Sequence, residues 1–315
     1  MGLNLPPTRD QCEKALEAFL RLGSKTLAAQ EIDVPRTTLS NWLTIGERDY
    51  QIAIPDNVLP EAKGRAQVAL DDGVVVVAAD FHYWPGKPST AHRALVSLTK
   101  ELQPDILVAN GDVCDFSTIS RHPPLGWTSM PTAAQEIEAA QDRMHEWAEA
   151  GGKALKFWPV GNHDARMETF IASKAPELRG IRGTSLLDHF PLWEPCYSLW
   201  INDNPGGLVA KHRFKGGTHA PWNNAIHAGR SIVTGHLHSQ KITPFSNYNG
   251  TIYGVDVGCI ADPYDEQFQY MEDNPRNHRA GFGIFTFCNG ILLPPELVTV
   301  IEPGLVFFRG QLIEV

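Results

Sequence analysis

The chain has 315 residues, 43% hydrophobic and 20% charged, which is ordinary globular usage and excludes a disordered or fibrous protein. A formal net charge of −9 excludes a general nucleic-acid coat protein and leaves room only for a local basic groove. Five scattered cysteines without a Cys-x-x-Cys indicate neither a disulfide framework nor a thiolate zinc site.

The opening Met1–Thr8 has no basic region followed by an apolar run, so a secretory signal is not expected. Val74–Ala79, the longest apolar stretch of the front half, is far shorter than the ~20 residues of a membrane span. No membrane partner is expected, and the setting reads as a reducing cytoplasm.

Residues 1–55 read as a small helical domain. Thr8 can cap a first helix with Ala15, Leu16, Phe19, Leu20 and Leu22 on one face and Gly23 as its stop. Ser24 can cap a second helix, Lys25–Ile32. Asp33, Val34 and Pro35 then make a tight turn into a third, Arg36–Glu47. The spacing of Ala29, the turn, Val34, Leu39 and Trp42 resembles a helix-turn-helix, with Asp33 where glycine is usual. Aspartate tolerates a left-handed backbone better than most residues. Arg36, Thr37, Thr38, Ser40 and Asn41 are side chains suited to reading a DNA groove. Against this, acidic and basic residues nearly cancel here, which suits a protein-contact bundle equally.

Residues 56–72 read as a linker, part of a proline-containing stretch of little periodicity over Gln51–Gly73. Residues 73–315 read as an α/β domain. Strands are predicted over Gly73–Ala79, Asp105–Ala109, Ala154–Val160, Tyr197–Ile201, Leu208–Lys211 and Ser231–Thr234. Helices are predicted over Ser89–Leu102, Thr132–Ala150 and Arg166–Ala175. Beyond Gln240, β-branched and aromatic residues between Gly and Asn turns predict antiparallel strands and a mixed sheet system.

The chemistry-bearing residues stand at the carboxyl ends of these strands, where open α/β sheets bind ligands. Asp80-Phe81-His82 ends the first strand, Asn110-Gly111-Asp112 the second, with Asp115 three residues on. Gly161-Asn162-His163-Asp164 ends the third, His212 a later one, and Gly235-His236-Leu237-His238 the last. Carboxylate and imidazole together suit Mn, Fe, Zn, Co or Ni. In an extended backbone residues two apart point the same way, so each x-spaced pair is expected to offer two ligands to one cluster. The glycines allow close backbone approach beside the ligands. Each element alone is common in ordinary turns; the signal lies in the ordered set, each member after a strand.

This set resembles the pattern of the calcineurin-like metallophosphoesterase superfamily, over about Val74 to the C-terminal region. The resemblance implies an αββα sandwich with two divalent transition-metal ions, manganese first among the candidates. By position, Asp80, His82 and His238 would hold one ion, Asn162, His212 and His236 the other, and Asp112 would bridge. His219 competes with His212 for the single-histidine position, and His212 is preferred because it directly ends a strand. His219 would then touch substrate. The resemblance makes His163 act on the leaving group, with Asp115 as its acidic partner and Asp164 as the adjacent alternative. Asn162 would also neutralise developing charge while water attacks phosphorus in line.

Phe116–Pro131 reads as an insertion in which Arg121 and His122 can bind a substrate phosphate. A second insertion, Ala261–Ala280, reads as a lid or a dimer contact, with Tyr264, Phe268 and Tyr270 available for base stacking or packing. The expected function is a phosphodiesterase or nuclease acting on nucleic acid or nucleotides. The combination also resembles proteins of phage and prophage genomes. The alternatives are a protein or small-molecule phosphomonoesterase, and a DNA-binding regulator that keeps the α/β domain as a scaffold.

Overall fold

The computed structural model describes residues 6–22, 25–50, 64–120, 129–274 and 277–315. These divide into two compact units. One holds the N-terminal helices together with residues 177–192, and the other holds the rest from residue 64 onward.

In the first unit, α1 (Arg9–Leu22), α2 (Lys25–Glu31) and α3 (Arg36–Tyr50) pack around Ala15, Leu16, Phe19, Ala28, Ala29, Leu39 and Leu43. Thr8 accepts from the Gln11 amide as the expected cap of α1. Asp33 sits at φ 53° between α2 and α3, the left-handed conformation anticipated from its place in the turn. Val34 then bonds back to the Ala29 carbonyl at 2.9 Å. The segment 177–192 was read as part of the α/β domain, yet it groups here. Arg182 places its guanidinium 5.1 Å from the centre of the Phe19 ring.

The second unit begins with β1 (Ala66–Val68), inside the stretch read as linker. It pairs in parallel with a strand far along the chain, a partnership that local periodicity cannot reveal. Next come β2 (Gly73–Ala78), α4 (Thr90–Leu102), β3 (Ile106–Ala109), α5 (Ala133–Ala150), β4 (Leu155–Pro159) and α6 (Arg166–Lys174). They are followed by β5 (Glu194–Cys196), β6 (Leu199–Ile201), β7 (Leu208–Ala210), α7 (Ala220–Ala228) and β8 (Ser231–Thr234). Last are β9 (Lys241–Asn247), β10 (Gly250–Asp256), β11 (Gly281–Cys288), β12 (Ile291–Leu292), β13 (Glu296–Glu302), β14 (Leu305–Phe308) and β15 (Gln311–Glu314). Ser89 and Thr132, read as first helical residues, are the caps of α4 and α5, Thr132 in a reciprocal capping box with Gln135.

Two mixed sheets form. One runs β1-β6-β7-β8-β10-β9, and the other β15-β14-β13-β11-β2-β3-β4-β5 with β12 on β11. They pack face to face through Val75, Val77, Ile106, Val108, Phe285 and Phe287 on one side and Leu199, Leu208, Val233 and Val255 on the other. Helix α4 lies against β2, β11, β13 and β14, α5 lies against α4, and α7 covers β8, β9 and β10. The second unit is therefore an αββα sandwich. Strands buried on both faces have no alternation, which is why Gly73–Ala79 reads as a continuous apolar run. In the C-terminal part β10 is antiparallel to β9 and parallel to β8, the mixed pairing expected beyond Gln240.

Phe285 is fully buried opposite Val75 at the middle of the inter-sheet core. Phe285→Ala should cost ~3–5 kcal/mol of stability, seen as a lower denaturant midpoint at unchanged slope.

Candidate metal centre

Five loops meet at the carboxyl ends of β2, β3, β4, β7 and β8. The first two are stitched by backbone bonds: the Asp80 amide donates to the Gly111 carbonyl and the His82 amide to the Asp112 carbonyl, each at 3.0 Å. The carboxylate of Asp164 ties the second loop to the third. It accepts from the amides of Asp112 (2.9 Å), Val113 (2.8 Å) and Gly161 (2.7 Å) and from the Trp158 indole (3.0 Å). Gly111, at φ 84°, leaves room for the His212 ring, which a Cβ would overlap.

The backbone carrying the candidate ligands is not extended. Asp80, His82, Asp112, His236 and His238 lie at φ 54°, 40°, 55°, 73° and 53°, a region that non-glycine residues rarely adopt. The expectation that Asp80 with His82, and His236 with His238, align by strand alternation is corrected on this point. Left-handed turns aim these side chains. His236 and His238 consequently diverge into different groups.

Asp80, His82 and His238 form one buried trio, and Asp112, His212 and His236 a second with His236 exposed; within each, ligand atoms lie within 4.8 Å of one another. In the first, His238 Nε2 is 3.1 Å from Asp80 Oδ1 and 3.3 Å from His82 Nε2. In the second, His212 Nε2 is 3.1 Å from Asp112 Oδ2 while its Nδ1 donates to the Asn110 carbonyl at 2.7 Å. Burial opposes ionisation of both Asp80 and Asp112, yet the neighbouring imidazoles hold their pKa values below the usual carboxylate value. Burial also disfavours a charged His212, but Asp112 and then Asp80 push its pKa up to about 10. His82 goes the other way, lowered chiefly by burial.

Asn162 Oδ1 is buried and makes no hydrogen bond. Buried polar atoms are nearly always satisfied, so this open amide oxygen in the Gly161–Asp164 loop and the two His/Asp trios fit cation coordination. The structure thus brings Asp80, His82 and His238 together in one trio and Asp112, His212 and His236 in the other, with Asn162 in the loop beside His163. It separates His212 from His219, which is exposed at the start of α7.

His163 stands beside the centre, its amide donating to Asp112 Oδ1 at 2.8 Å. Its Nδ1 lies 2.9 Å from Asp115 Oδ1, the same oxygen that lies 3.1 Å from His82 Nδ1. Asp115 therefore orients two imidazoles. Asp164 is excluded as the partner of His163, because its oxygens are taken by loop N–H donors. Burial works against a charged His163, but the Asp115 bond and the nearby Asp112 raise its pKa overall. Asp115 in turn is held well below the usual value by His163 and His82, although burial opposes this.

Several neighbours were not singled out from sequence. Arg166, in the first turn of α6, donates from Nη2 to His163 Nε2 at 3.0 Å and from Nη1 to the Asp115 carbonyl. Glu136 of α5 is buried and accepts from the Asp115 (3.0 Å) and Phe116 (2.6 Å) amides, and burial pushes its pKa up to about 7. His278 sets Nδ1 3.4 Å from His238 Nδ1. In the second insertion a 3₁₀ turn, Glu266–Met271, lays Phe268 edge-on to His82 and His238, so this segment walls the site. Tyr264 and Tyr270 stay exposed. The cleft above the centre has a volume of about 510 Å³ and includes Trp84, Asp112, His163, Arg166, Phe268 and His278 in its lining. Arg121 and His122 lie outside the described residues. Arg36, Thr37, Thr38, Ser40 and Asn41 are at least partly exposed on α3, in the other unit. No described helix is long and apolar enough to cross a membrane.

No family model matches the chain. It is 26% identical over 230 residues to the Gene 54 protein of Mycobacterium phage D29, and 25% identical over 230 residues to that of Mycobacterium phage L5. Both matches cover 66% of this chain and 87% of the relative. Among solved structures, Vps29 of Entamoeba histolytica complexed with zinc is similar at 11% identity and a TM-score of 0.42, covering 76% of this chain and 98% of Vps29. An archaeal phosphodiesterase is similar at 11% identity and a TM-score of 0.36, over 72% of this chain and 99% of that chain.

The four donors converging on Asp164 make it a test of how the loops are held. Asp164→Asn keeps the shape but offers one acceptor oxygen and turns an NH₂ toward an existing donor. It should cost ~2–4 kcal/mol, read as a lower unfolding midpoint.

Proposed function

We propose that this chain is a metal-dependent phosphoester hydrolase of the calcineurin-like metallophosphoesterase type, acting on phosphodiesters of nucleic acid or nucleotides. The observation that carries the reading is the pair of His/Asp trios at the strand ends, with Asp112 in one of them and His163 alongside. Asp80, His82 and His238 would hold one ion, and Asn162, His212 and His236 the other, with Asp112 shared. When bound, the ions supply Lewis-acid stabilisation of charge developing around phosphorus and a water nucleophile at neutral pH. Manganese is the first candidate, and iron, zinc, cobalt and nickel suit the same donors.

The residues around the ions divide the remaining work. Asp115 fixes the His163 ring through Nδ1, which leaves Nε2 toward the cleft to deliver a proton to the leaving oxygen. Asn162 helps to counter charge on the phosphoryl oxygens. Half-buried Trp84 and exposed Tyr270 at the cleft suit bases of a nucleotide substrate. The polar start of α3, with Arg36, Thr37, Thr38, Ser40 and Asn41, supports a DNA contact by the first unit.

Purified protein should carry about two transition-metal ions per chain, and chelation should abolish hydrolysis. Asp112→Asn should lose most metal, because one side chain serves both positions. Full activity after exhaustive chelation would overturn the dinuclear reading. A panel in Mn²⁺ of a nitrophenyl monoester, a bis-nitrophenyl diester, cyclic nucleotides and single- and double-stranded DNA separates the substrate classes. Turnover of monoesters alone would move the assignment to a phosphatase.

His163→Ala should retain its metal and lose ~10²–10⁴-fold in kcat/KM on an alkyl or nucleotide ester, but far less on a nitrophenyl ester. Nitrophenolate departs without a proton, whereas an alkoxide does not. Equal losses on both esters together with lost metal would make His163 a ligand instead.

The DNA contact is tested in the full chain with Arg36→Ala and Asn41→Ala combined. Duplex affinity should fall and its salt dependence should become shallower, while nitrophenyl ester hydrolysis stays the same. A chain that binds no duplex in a salt-sensitive way has a protein-contact module at its N-terminus.

A further inference from the structure

We infer that Arg166 is the residue that grips the anionic phosphoryl group of the substrate, exchanging its contact with His163 for one with a phosphoryl oxygen. The inference rests on the phosphoesterase reading above and adds to it the residue that recognises the charged group. Of the described residues lining the cleft, Arg166 alone is a lysine or arginine. An anion entering between Asp112 and Asp115 meets carboxylates on the protein side, so a fixed positive charge at the rim decides whether it stays.

Arg166 is placed for that task rather than for a structural ion pair. Its side chain keeps 22% of its surface exposed, and its nearest carboxylate oxygen, Asp115 Oδ1, lies 3.9 Å away, beyond hydrogen-bond distance. It spends Nη1 on the Asp115 carbonyl and Nη2 on His163 Nε2. A guanidinium carries five donors in a planar fork that matches two phosphoryl oxygens. An imidazole nitrogen is a poorer partner for it than a charged oxygen. The Asp115 carbonyl can keep hold of Nη1 while Nη2 turns to the ligand, so the group is pre-aimed. The same movement uncovers His163 Nε2, the nitrogen assigned to the leaving oxygen. Arg166 opens α6 three residues after His163, and its amide donates to the His163 carbonyl at 2.9 Å, which couples the two positions through one turn.

The test uses full-length, Mn²⁺-loaded protein with Arg166→Ala, Arg166→Lys and wild type. Inorganic phosphate binding is measured by calorimetry, kcat and KM on a bis-nitrophenyl diester, and metal content on each variant. Loss of a charge-assisted pair should weaken phosphate binding and raise KM ~10- to 100-fold in Arg166→Ala, at unchanged metal content. Arg166→Lys should recover part of the loss, as a point charge without the fork, and added guanidinium should rescue Arg166→Ala. Phosphate affinity and KM within twofold of wild type in both variants would overturn the inference while the hydrolase reading stands. Lost metal or a collapsed fold in Arg166→Ala leaves Arg166→Lys to decide: wild-type fold and metal with phosphate affinity between wild type and none would support the inference, and wild-type affinity would overturn it. Wild-type protein that hydrolyses no ester fails the hydrolase reading, and the phosphate titration then decides Arg166 independently. Wild type that binds no phosphate overturns it.

Discussion

Two buried carboxylates set the terms for the rest of this molecule. Asp80 and Asp112 are removed from water at the ends of adjacent strands, where an unpaired charge would be untenable. Their charge is met by imidazoles delivered from three directions: His82 after β2, His212 after β7, and His236 and His238 after β8. No single loop could do this, because each strand end supplies only one or two side chains to the centre. The sandwich therefore exists, from the standpoint of the site, to bring the ends of strands from both sheets to one rim.

Holding charged groups that close strains the backbone, and the structure concentrates that strain where the ligands are. Five of the candidate ligands are left-handed, a conformation costing of order 1–3 kcal/mol per residue, which persists only when the surroundings over-determine it. The surroundings here are hydrogen bonds. The loops after β2 and β3 share backbone bonds, Asp164 gathers four donors from the next pair, and His236 donates its amide to Asp80 at 2.8 Å. The carboxylates thus serve twice, as candidate metal ligands and as acceptors that keep their own loops folded.

Beyond these residues the site is furnished by chain excursions. The insertion before β11 brings Phe268 against His82 and His238 and His278 against the outer nitrogen of His238. The start of α6 brings Arg166 to His163, and α5 brings Glu136 beneath the Asp115 loop. A ligand imidazole fixed at its second nitrogen keeps one tautomer and one orientation, and here Asp115 does this for His82 and the Asn110 carbonyl for His212.

The sequence by itself determined which residues could reach a common rim. Asp80, His82, Asp112, Asn162, His212, His236 and His238 each follow a strand visible from its apolar run, and the parallel order of β2, β3 and β4 puts their ends on one side. Asp33 in the left-handed turn was legible for a similar local reason. Choices between close neighbours were legible only in part. His212 is preferred over His219 because it ends a strand, and Asp115 over Asp164 only by resemblance, but the contacts that separate each pair come from packing. Left-handed turns replaced the strand alternation assumed for Asp80 and His82, because φ depends on bonds to other loops. Arg166, Phe268 and His278 carry no periodic or spacing signal. Arg166 meets Asp115 across 51 residues, His278 meets His238 across 40, Phe268 meets the much earlier His82, and β1 pairs with a strand more than 100 residues away. Local chemistry fixes what a residue can do, and only the closed tertiary structure decides which atoms it meets.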